Sequence, residues 1–350
     1  MKILILRFSR IGDCVLASPV VEALRERYPT AHLTWGVQSK AESMVRGLAD
    51  LDETLLWSDH EPRARSLSRS LWRTRRSRFD VVLDLNGANK AGYFMMASGA
   101  KRRITGSDSS PLTLRSSTEC VQDGPRETTH VRDFFLRRAA ALDIAPDANQ
   151  RFFSRLPLDA EHHRFADDFC AQAASNAKNR IIGLNLGASN LAKRWPPQFF
   201  ARLATDILRD DKHARIVVFG APADKLLYEE MAKEIGEIRG AASDVDIANR
   251  VYNLVGKASL LQLAALSARC AAFVTADTGP MHIAAAVGAP IVALFGPTPV
   301  ARFHPVHKPG SAPFRVLDGQ KISGLDKAPM ETHSVESVLR AVREIRELMR

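Results

Sequence analysis

The segment spanning residues 273–295 constrains the fold of this chain more than any other stretch. Its sequence predicts a buried strand, a polar turn, a short alanine-rich helix and a second buried strand. A strand, a helix and a strand in this order form a β-α-β unit of an α/β sheet. Because open α/β sheets bind ligands at the carboxyl ends of their strands, the polar turn is a candidate site.

The polar turn has the composition of an anion site. Its polar residues lie where the first strand ends and the helix begins; they are Asp277, Thr278, Gly279 and His282. Thr278 or Asp277 can cap the helix, and Pro280 suits its first turn because the missing N–H would be unpaired there anyway. Gly279 lets a ligand approach the backbone closely. The free N–H groups and the helix dipole then favour a phosphate, although a capped connection that binds nothing has the same sequence features.

A length of 350 residues is too great for one typical core, so we expect two domains. The hydrophobic content of 45% and the charged content of 25% are typical of a soluble globular protein. Four cysteines are scattered without a CxxC pair or metal-ligand spacing, which favours a reducing cytoplasm and argues against a disulfide framework or a zinc site. The sequence predicts neither a signal peptide nor a transmembrane segment.

Much of the net charge of +10 comes from one stretch, which has seven arginines and no acid between Pro62 and Phe79. As a helix, this stretch carries its arginines on one face and its apolar side chains on another. The first set is Arg65, Arg69, Arg73 and Arg76, and the second is Leu67, Leu71 and Trp72. Such a basic face favours phospholipid headgroups, a phosphorylated glycolipid or nucleic acid. An ordinary solvated helix face is the alternative.

Strand-like and helix-like segments alternate through both halves of the chain. The predicted strands are residues 3–6, 32–37, 54–57 and 79–85 in the first half and 181–186, 215–219, 271–275 and 291–295 in the second. This alternation predicts two similar α/β domains with largely parallel sheets, helices on both faces and a ligand cleft between the domains. Residues 106–126 are predicted as a long loop, and residues 334–349 as an amphipathic helix.

The turn after the first strand, Arg7-Phe8-Ser9-Arg10-Ile11-Gly12-Asp13, is neither a dinucleotide-binding loop nor a P-loop, because it has a single glycine and no Gly-Lys-Ser/Thr. It offers one carboxylate, Asp13. This carboxylate either acts as a general base facing the cleft or caps a helix that begins near Val15.

A second motif runs from Asn185 to Pro197, where a strand enters a loop of small residues followed by Lys-Arg-Trp-Pro-Pro. Lys193 can place a point charge against a diphosphate, and Ser189 can add a hydroxyl. Trp195 either stacks on a ligand or packs the loop. At another strand-to-helix turn, Asp224 either contacts a ribose or caps a helix.

These motifs, in this order, resemble glycosyltransferase family 9, the ADP-heptose:lipopolysaccharide heptosyltransferases. The resemblance lies in three stretches: Ile-Leu-Ile-Leu-Arg-Phe-Ser-Arg-Ile-Gly-Asp at 3–13 with Ser18-Pro19, Gly-Ala-Ser to Lys-Arg-Trp-Pro-Pro-Gln-Phe at 187–199, and Thr-Ala-Asp-Thr-Gly-Pro-Met-His-Ile-Ala-Ala-Ala at 275–286 with Phe-Gly-Pro-Thr at 295–298.

The resemblance implies an α/β chain with the GT-B fold, in which two Rossmann-like domains face each other across a central cleft. Residues 1–170 would then bind the acceptor and residues 178–333 the sugar nucleotide. Residues 334–350 would form a helix that packs back on the N-terminal domain.

The same resemblance implies roles for individual residues. Asp13 becomes the general base of an inverting transfer of heptose from ADP-heptose to a lipopolysaccharide core acceptor. Ser9, Arg10 and Gly12 would contact that acceptor. The donor would be held by Ser189, Lys193, Asp277, Thr278, Gly279, Pro280 and His282, with Asp224 a candidate ribose contact and no metal or other cofactor.

The implied partners are a sugar nucleotide and an anionic glycolipid. We expect a cytoplasmic monomer that associates peripherally with the inner face of the bacterial inner membrane through the Arg63–Arg78 region, and no nucleic-acid partner. Two alternatives remain: a transferase of the same family with another donor or acceptor, and a basic nucleic-acid-binding protein.

Overall fold

Two six-stranded parallel sheets organise the chain in the computed structural model, which describes residues 1–58, 63–125, 127–145, 147–173, 181–240 and 246–349. The chain divides into two units, Met1–Pro157 and Leu158–Arg350, each with one of the sheets. The predicted domain boundary at 170–178 is therefore too late, because the helix at Ala160–Gln172 packs within the second unit. Residues 174–180, which include part of the stretch between the two predicted domains, lie outside the described residues.

The first unit contains the four strands that its sequence pattern predicts and two more. Its strands are β1 (Lys2–Leu6), β2 (His32–Gln38), β3 (Glu53–Trp57), β4 (Val81–Asp84), β5 (Arg102–Gly106) and β6 (Glu119–Val121). Its α-helices are α1 (Ile11–Ala17), α2 (Pro19–Arg27), α3 (Arg63–Ser77), α4 (Asn89–Ser98), α5 (Pro111–Ser116), α6 (Val131–Ala139) and α7 (Ala148–Arg151). The predicted long loop at 106–126 is wrong, since it contains α5 and β6.

The second unit repeats the arrangement. Its strands are β7 (Ile181–Asn185), β8 (Arg215–Phe219), β9 (Val251–Asn253), β10 (Ala272–Ala276), β11 (Ile291–Phe295) and β12 (Phe314–Asp318). Its α-helices are α8 (Ala160–Gln172), α9 (Pro197–Asp210), α10 (Lys225–Gly240), α11 (Asp246–Asn249), α12 (Leu260–Ser267), α13 (Gly279–Ala286), α14 (Val300–Phe303), α15 (Gly319–Ser323) and α16 (Val335–Leu348).

Both sheets have the strand order of a Rossmann fold. The order is β3-β2-β1-β4-β5-β6 in the first sheet and β9-β8-β7-β10-β11-β12 in the second. Each sheet therefore has a switch point between its central strands, where Leu6 lies opposite Asp84 and Asn185 lies opposite Thr275. Ligands bind α/β sheets outside the carboxyl ends of the strands at such a point.

The final helix departs from expectation. The apolar side of α16, including Val338, Val342 and Ile345, is buried in the core of the second unit, against α9, β10 and β11. Its arginines also pair within that unit, as Arg346 does with Asp211 at 2.6 Å. The expectation that this helix packs back on the N-terminal domain is corrected by these contacts.

The arginine-rich helix α3 forms as predicted but turns a different side to the sheet. Its buried stripe is Ser66, Ser70 and Thr74, and the hydroxyls of Ser70 and Thr74 donate to carbonyls one turn earlier at 2.9 and 2.8 Å. Leu67 and Leu71 pack against the same core, whereas Trp72 is 60% exposed on the side of the arginines. The assignment of Trp72 to the apolar face is therefore wrong.

A buried cluster of charged groups joins the carboxyl ends of β4, β5 and β6 to α6. Arg138 donates from Nε and Nη2 to the two carboxylate oxygens of Asp123, each at 2.8 Å, and it also pairs with Asp108. Although burial raises the pKa of Asp123, the hydrogen bonds from Arg138 outweigh this and hold the pKa below its ordinary value. A Cβ on Gly106 would lie 2.0 Å from Asp123 Oδ2, so the cluster requires glycine there.

We expect Arg138→Met to destabilise the first unit strongly, because it leaves the buried Asp123 carboxylate without its cation. The free energy of unfolding should fall by about 3–5 kcal/mol in chemical denaturation. The control is Arg343→Met, which removes an arginine that is 55% exposed and pairs with Asp210; this change should cost less than about 1 kcal/mol. Equal losses in the two variants would contradict a structural role for the buried cluster.

Candidate functional site

The switch point of the second sheet brings together the two motifs that the sequence places 84 residues apart. Lys193 donates from Nζ to Asp277 Oδ2 at 2.7 Å and approaches the Asp277 carbonyl oxygen at 3.3 Å. The Thr298 hydroxyl donates to the same carboxylate oxygen at 2.8 Å. The Asp277 side chain is only 4% exposed and that of Lys193 is 22% exposed. The ammonium group is thus the part of the pair that can reach a ligand.

The start of α13 completes this cluster. His282 is buried in the first turns of the helix, with Nε2 3.8 Å from Asp277 Oδ1. Thr278 is the N-cap residue, but its hydroxyl donates back to the Ala276 carbonyl at 3.3 Å, and Asp277 is held by Lys193 and Thr298. The prediction that one of these side chains caps the helix is therefore wrong. The first turn, with Gly279 and Pro280, carries no capping side chain, which leaves its positive end suited to an anion.

The loop that carries Lys193 is held in place by the packing and hydrogen bonding of Trp195. Trp195 is buried, donates from Nε1 to the His333 carbonyl at 2.9 Å and packs edge-on against Phe200, so its packing role is confirmed. Burial lowers the pKa of His333, whose neutral ring donates from Nε2 to the Phe295 carbonyl at 3.0 Å. Ser189 is exposed on this loop. The loop thus offers Lys193 and Ser189 on a base held rigidly by Trp195.

Asp224 joins two loops beside this site. Its Oδ2 accepts from the backbone N–H of Ala221 at 2.8 Å, and its Oδ1 lies 3.4 Å from Arg194 Nη2. A Cβ on Gly187 would come within 1.9 Å of Asp224 Oδ2, so the glycine lets the carboxylate lie against the loop after β7. Asp224 is 5% exposed and is the third residue of the Pro222–Asp224 turn, whose N-cap residue is Ala221. A ribose contact stays a prediction.

The switch point of the first sheet holds a second carboxylate. Helix α1 begins at Ile11 rather than near Val15, so Asp13 lies in its first turn and does not cap it. Asp13 Oδ2 pairs instead with Arg7, whose Nη1 donates to the Leu85 carbonyl at 3.0 Å and whose guanidinium lies 5.4 Å from the Phe135 ring centroid. The helix-cap alternative is thereby excluded, and Arg7 orients the carboxylate.

Further cationic and polar groups lie in the turn that carries Asp13 and at the start of α4. Lys90, at the start of α4, donates to the Ser9 hydroxyl at 3.2 Å, and its ammonium lies 5.2 Å from the Phe8 ring centroid. Arg10 has φ of 68°, a left-handed conformation that is unusual for a residue with a side chain and often marks a functional site. Burial raises the pKa of the neighbouring Cys14 to about 12, so its thiol stays protonated and does not compete with Asp13 as a base.

Sequence reasoning missed four contributors to the two clusters: Arg7, Lys90, Thr298 and Phe303, whose ring lies 5.8 Å from Lys193 Nζ. Thr298 stands in a recognised motif, and Arg7 in another, but the sequence gives no sign that they bind the two carboxylates. Lys90 follows the end of β4, which is the other central strand of the first sheet. A systematic search of both central strand ends would have found it.

Within the described ranges, no group of three or more histidine, cysteine, aspartate or glutamate side chains is placed to hold a metal ion.

Comparison with known proteins agrees with this geometry. The model of the family described as glycosyltransferase family 9 (heptosyltransferase) matches residues 65–312. Lipooligosaccharide heptosyltransferase 2 of Haemophilus influenzae is 26% identical over 328 residues, which are 92% of this chain and 90% of that protein. The solved structure of a glycosyl transferase family 9 protein from Veillonella parvula aligns with a TM-score of 0.82 at 25% identity and covers 99% of this chain and 97% of its own.

A second solved structure, ADP-heptose lps heptosyltransferase II of Escherichia coli, aligns with a TM-score of 0.78 at 22% identity, covering 100% of this chain and 99% of its own. The predicted fold class, α/β with two Rossmann-like domains of the GT-B type, is confirmed by the two sheets and by these structures.

Variants of Lys193 and Asp277 can distinguish a role of this pair in stability from a role in ligand binding. Lys193→Met should lower the free energy of unfolding by about 3 kcal/mol, because it takes the lysine cation away from the buried Asp277 carboxylate. It should also weaken binding of a nucleoside diphosphate, measured by calorimetry. In the double variant Lys193→Met/Asp277→Asn the stability should recover but the binding should not. Recovery of both would show that Lys193 acts only by pairing with Asp277.

Proposed function

The chain belongs to glycosyltransferase family 9 and is a glycosyltransferase, and from this premise we propose that it transfers a heptose from ADP-heptose to the core of a lipopolysaccharide. Its relatives include a lipooligosaccharide heptosyltransferase 2 and an ADP-heptose lps heptosyltransferase II, and these activities support the choice of sugar and acceptor. The observation that carries the proposal is the cluster of Lys193, Asp277 and Thr298 beside the uncapped start of α13.

The donor would bind at the switch point of the second unit. Its diphosphate would meet Lys193, Ser189 and the first N–H groups of α13, while Gly279 permits close approach and Pro280 shapes the turn. Asp277, Thr278 and His282 would surround the phosphates and the sugar. Positive groups at this position stabilise the negative charge that builds on a departing nucleoside diphosphate. The chemistry so described uses protein groups for leaving-group stabilisation, without an essential metal or other cofactor.

Asp13 would be the general base. Arg7 binds one oxygen of its carboxylate, and the other oxygen would accept the proton of an acceptor hydroxyl. The hydroxyl oxygen would attack the anomeric carbon as the bond from that carbon to the diphosphate breaks, and the configuration would invert. Ser9, Arg10 and Gly12 would hold the acceptor beside Asp13.

The acceptor class explains the charge of the first unit. We propose that the acceptor is an anionic glycolipid and that the arginines of the Arg63–Arg78 region interact with the cytoplasmic face of the inner membrane, the enzyme itself being a peripheral monomer. No helix in the described part of the chain combines the length and the apolar character that a membrane span needs. Arginines near an anionic surface each contribute about 1 kcal/mol of attraction.

Asp13→Asn should abolish most of the turnover while leaving donor binding intact. The amide cannot take the proton, so the turnover number should fall by about 10²–10⁴-fold. The dissociation constant for ADP-heptose, measured by calorimetry, should stay unchanged because the donor binds the second unit. Asp143→Asn, which alters a carboxylate that is 72% exposed, is the matched control and should keep normal turnover. Near-normal turnover in folded Asp13→Asn would show that another group is the base.

Donor choice is tested by calorimetric titration of the protein with ADP-heptose, ADP-glucose, a UDP-sugar and a short oligonucleotide. We expect the tightest binding for ADP-heptose and a clear loss of it in Lys193→Ala. Preference for another sugar nucleotide would leave the family and the fold in place but overturn the assignment of the donor. Binding of the oligonucleotide alone would favour the nucleic-acid alternative.

A further inference from the structure

One face of the first sheet is covered by helices that contain no acidic residue. Helices α3, α4 and α5 pack side by side on this face, and none of them has an aspartate or a glutamate. The helices α1, α2 and α6 pack together elsewhere in the unit, and each has at least one acid. The positive charge of the first unit is therefore concentrated on the outer surface of α3–α5, which we name the basic face.

An exposed tryptophan stands in the middle of the arginines of the basic face. Trp72 is 60% exposed. At 100° per residue, Arg65, Arg69 and Arg76 lie within about 60° of it around the helix axis. The guanidinium of Arg76 lies 5.2 Å from the ring centroid of Trp72. The largest apolar side chain of this helix thus projects outward together with the charges.

Helix α4 adds further apolar groups to the basic face. Tyr93 is 44% exposed and Met96 is 54% exposed, one helical turn apart. Their neighbours Phe94 and Met95 are fully buried in the core under α3 and α4, so the exposure of Tyr93 and Met96 results from their position on the outer side of the helix. The basic face therefore combines arginines with a tryptophan, a tyrosine and a methionine.

We propose that the basic face docks onto a bilayer that contains anionic phospholipids, and that Trp72 is its anchor, placed at the level of the headgroups. Tryptophan and tyrosine favour this level because their rings are apolar with one polar group, and arginines are attracted to the anionic surface. Arg76 beside the indole keeps its charge among the phosphates while the ring enters the interface. This inference rests on the membrane contact of the proposed function and extends it, because it names Trp72 as the anchor and adds α4 and α5 to the surface that meets the lipid.

The composition of the face favours a bilayer over nucleic acid. Backbone phosphates of nucleic acid are bound by lysine and arginine, and bases stack on aromatic rings. Exposed Met96 serves neither contact, whereas an apolar side chain between arginines fits the boundary between headgroups and acyl chains. The absence of acids from three adjacent helices also matches an extended anionic surface rather than one phosphate.

The fluorescence of Trp72 can report this docking without an added label. Of its four tryptophans, Trp35, Trp57 and Trp195 are at most 3% exposed, so a change of emission on contact with lipid reports Trp72. On adding vesicles of phosphatidylglycerol and phosphatidylcholine we expect a blue shift of the emission and protection from acrylamide. Pure phosphatidylcholine should give neither. Trp72→Phe should remove the shift but keep most of the binding.

The energetic role of Trp72 is tested by sedimentation with the same vesicles. Trp72→Ala should weaken binding about 10-fold, and Arg65→Glu/Arg69→Glu about 10-fold or more, the latter loss diminishing at high salt. Leu226→Ala, which alters a residue of the second unit that is 69% exposed, is the matched control and should bind like the unchanged protein. Unchanged vesicle binding by Trp72→Ala, or an equal emission shift with a single-stranded oligonucleotide, would overturn the proposal.

The failure of this inference is distinguishable from failure of the proposed function. Transfer of heptose to a water-soluble, deacylated core acceptor should be the same for Trp72→Ala and for the unchanged protein, because Trp72 is remote in sequence and role from Asp13 and Lys193. Lipid binding without transfer would leave the basic face as proposed and overturn the activity. Transfer of heptose without lipid binding would leave the activity as proposed and overturn the docking of the basic face.

Discussion

The reversal of strand order at the centre of each sheet is the constraint on which both candidate sites depend. Strands β1 and β4, and likewise β7 and β10, are neighbours whose connections lead away in opposite directions, so a crevice opens beyond their carboxyl ends. Parallel pairing then fixes which residues border each crevice. The Asn185–Thr275 register places the loop that carries Lys193 beside the start of α13, and the Leu6–Asp84 register places the turn that carries Asp13 beside Leu85. Residues far apart in the chain meet because the pairing of the strands that lead to them fixes where they lie.

Each of the two crevices pairs a largely buried carboxylate with a cation, but the two cations differ in kind. Each holds a largely buried carboxylate, Asp13 or Asp277, that needs a cation because an unpaired charge is costly in such a place. Arg7 is a planar, permanently charged group fixed by the Leu85 carbonyl and by Phe135, which suits the orientation of a carboxylate. Lys193 is a point charge on a flexible stem and is more exposed than Asp277, which suits an exchange of partner when a diphosphate arrives. Under the proposed function, the fixed pair would serve proton transfer and the adaptable pair would serve binding of the leaving group.

The sequence predicted most strands, because a buried parallel strand is a continuous apolar run and the polar residues that end it are easily recognised. Asp277 and His282 were selected in this way and Lys193 from the loop after β7, and the structure brings the three side chains together. What the sequence could not provide were contacts between elements: the pairing of Arg7 with Asp13, the binding of Thr298 to Asp277, and the position of α16. Helix α16 has an apolar side that fits any core, so periodicity predicts that it is buried but not in which unit. Short elements such as α5 and β6 were missed because serine, threonine and proline dominate their region, and these residues are equally typical of loops.

Trp72 shows why the exposed surface of the first unit is harder to infer than the switch-point cluster of the second. A ranking by hydrophobicity buries tryptophan before serine, yet α3 turns Ser66, Ser70 and Thr74 to the sheet and Trp72 outward. The small residues can be buried because Ser70 and Thr74 donate to carbonyls of the preceding turn, which removes most of the cost of burying a hydroxyl. The large ring is then left on the arginine side with no partner of its own size in the helix. A cluster at a switch point consists of strand ends, which the sequence pattern reveals, whereas the character of an exposed surface depends on which side of a helix is left over after packing. The tertiary structure decides which side of the helix stays exposed.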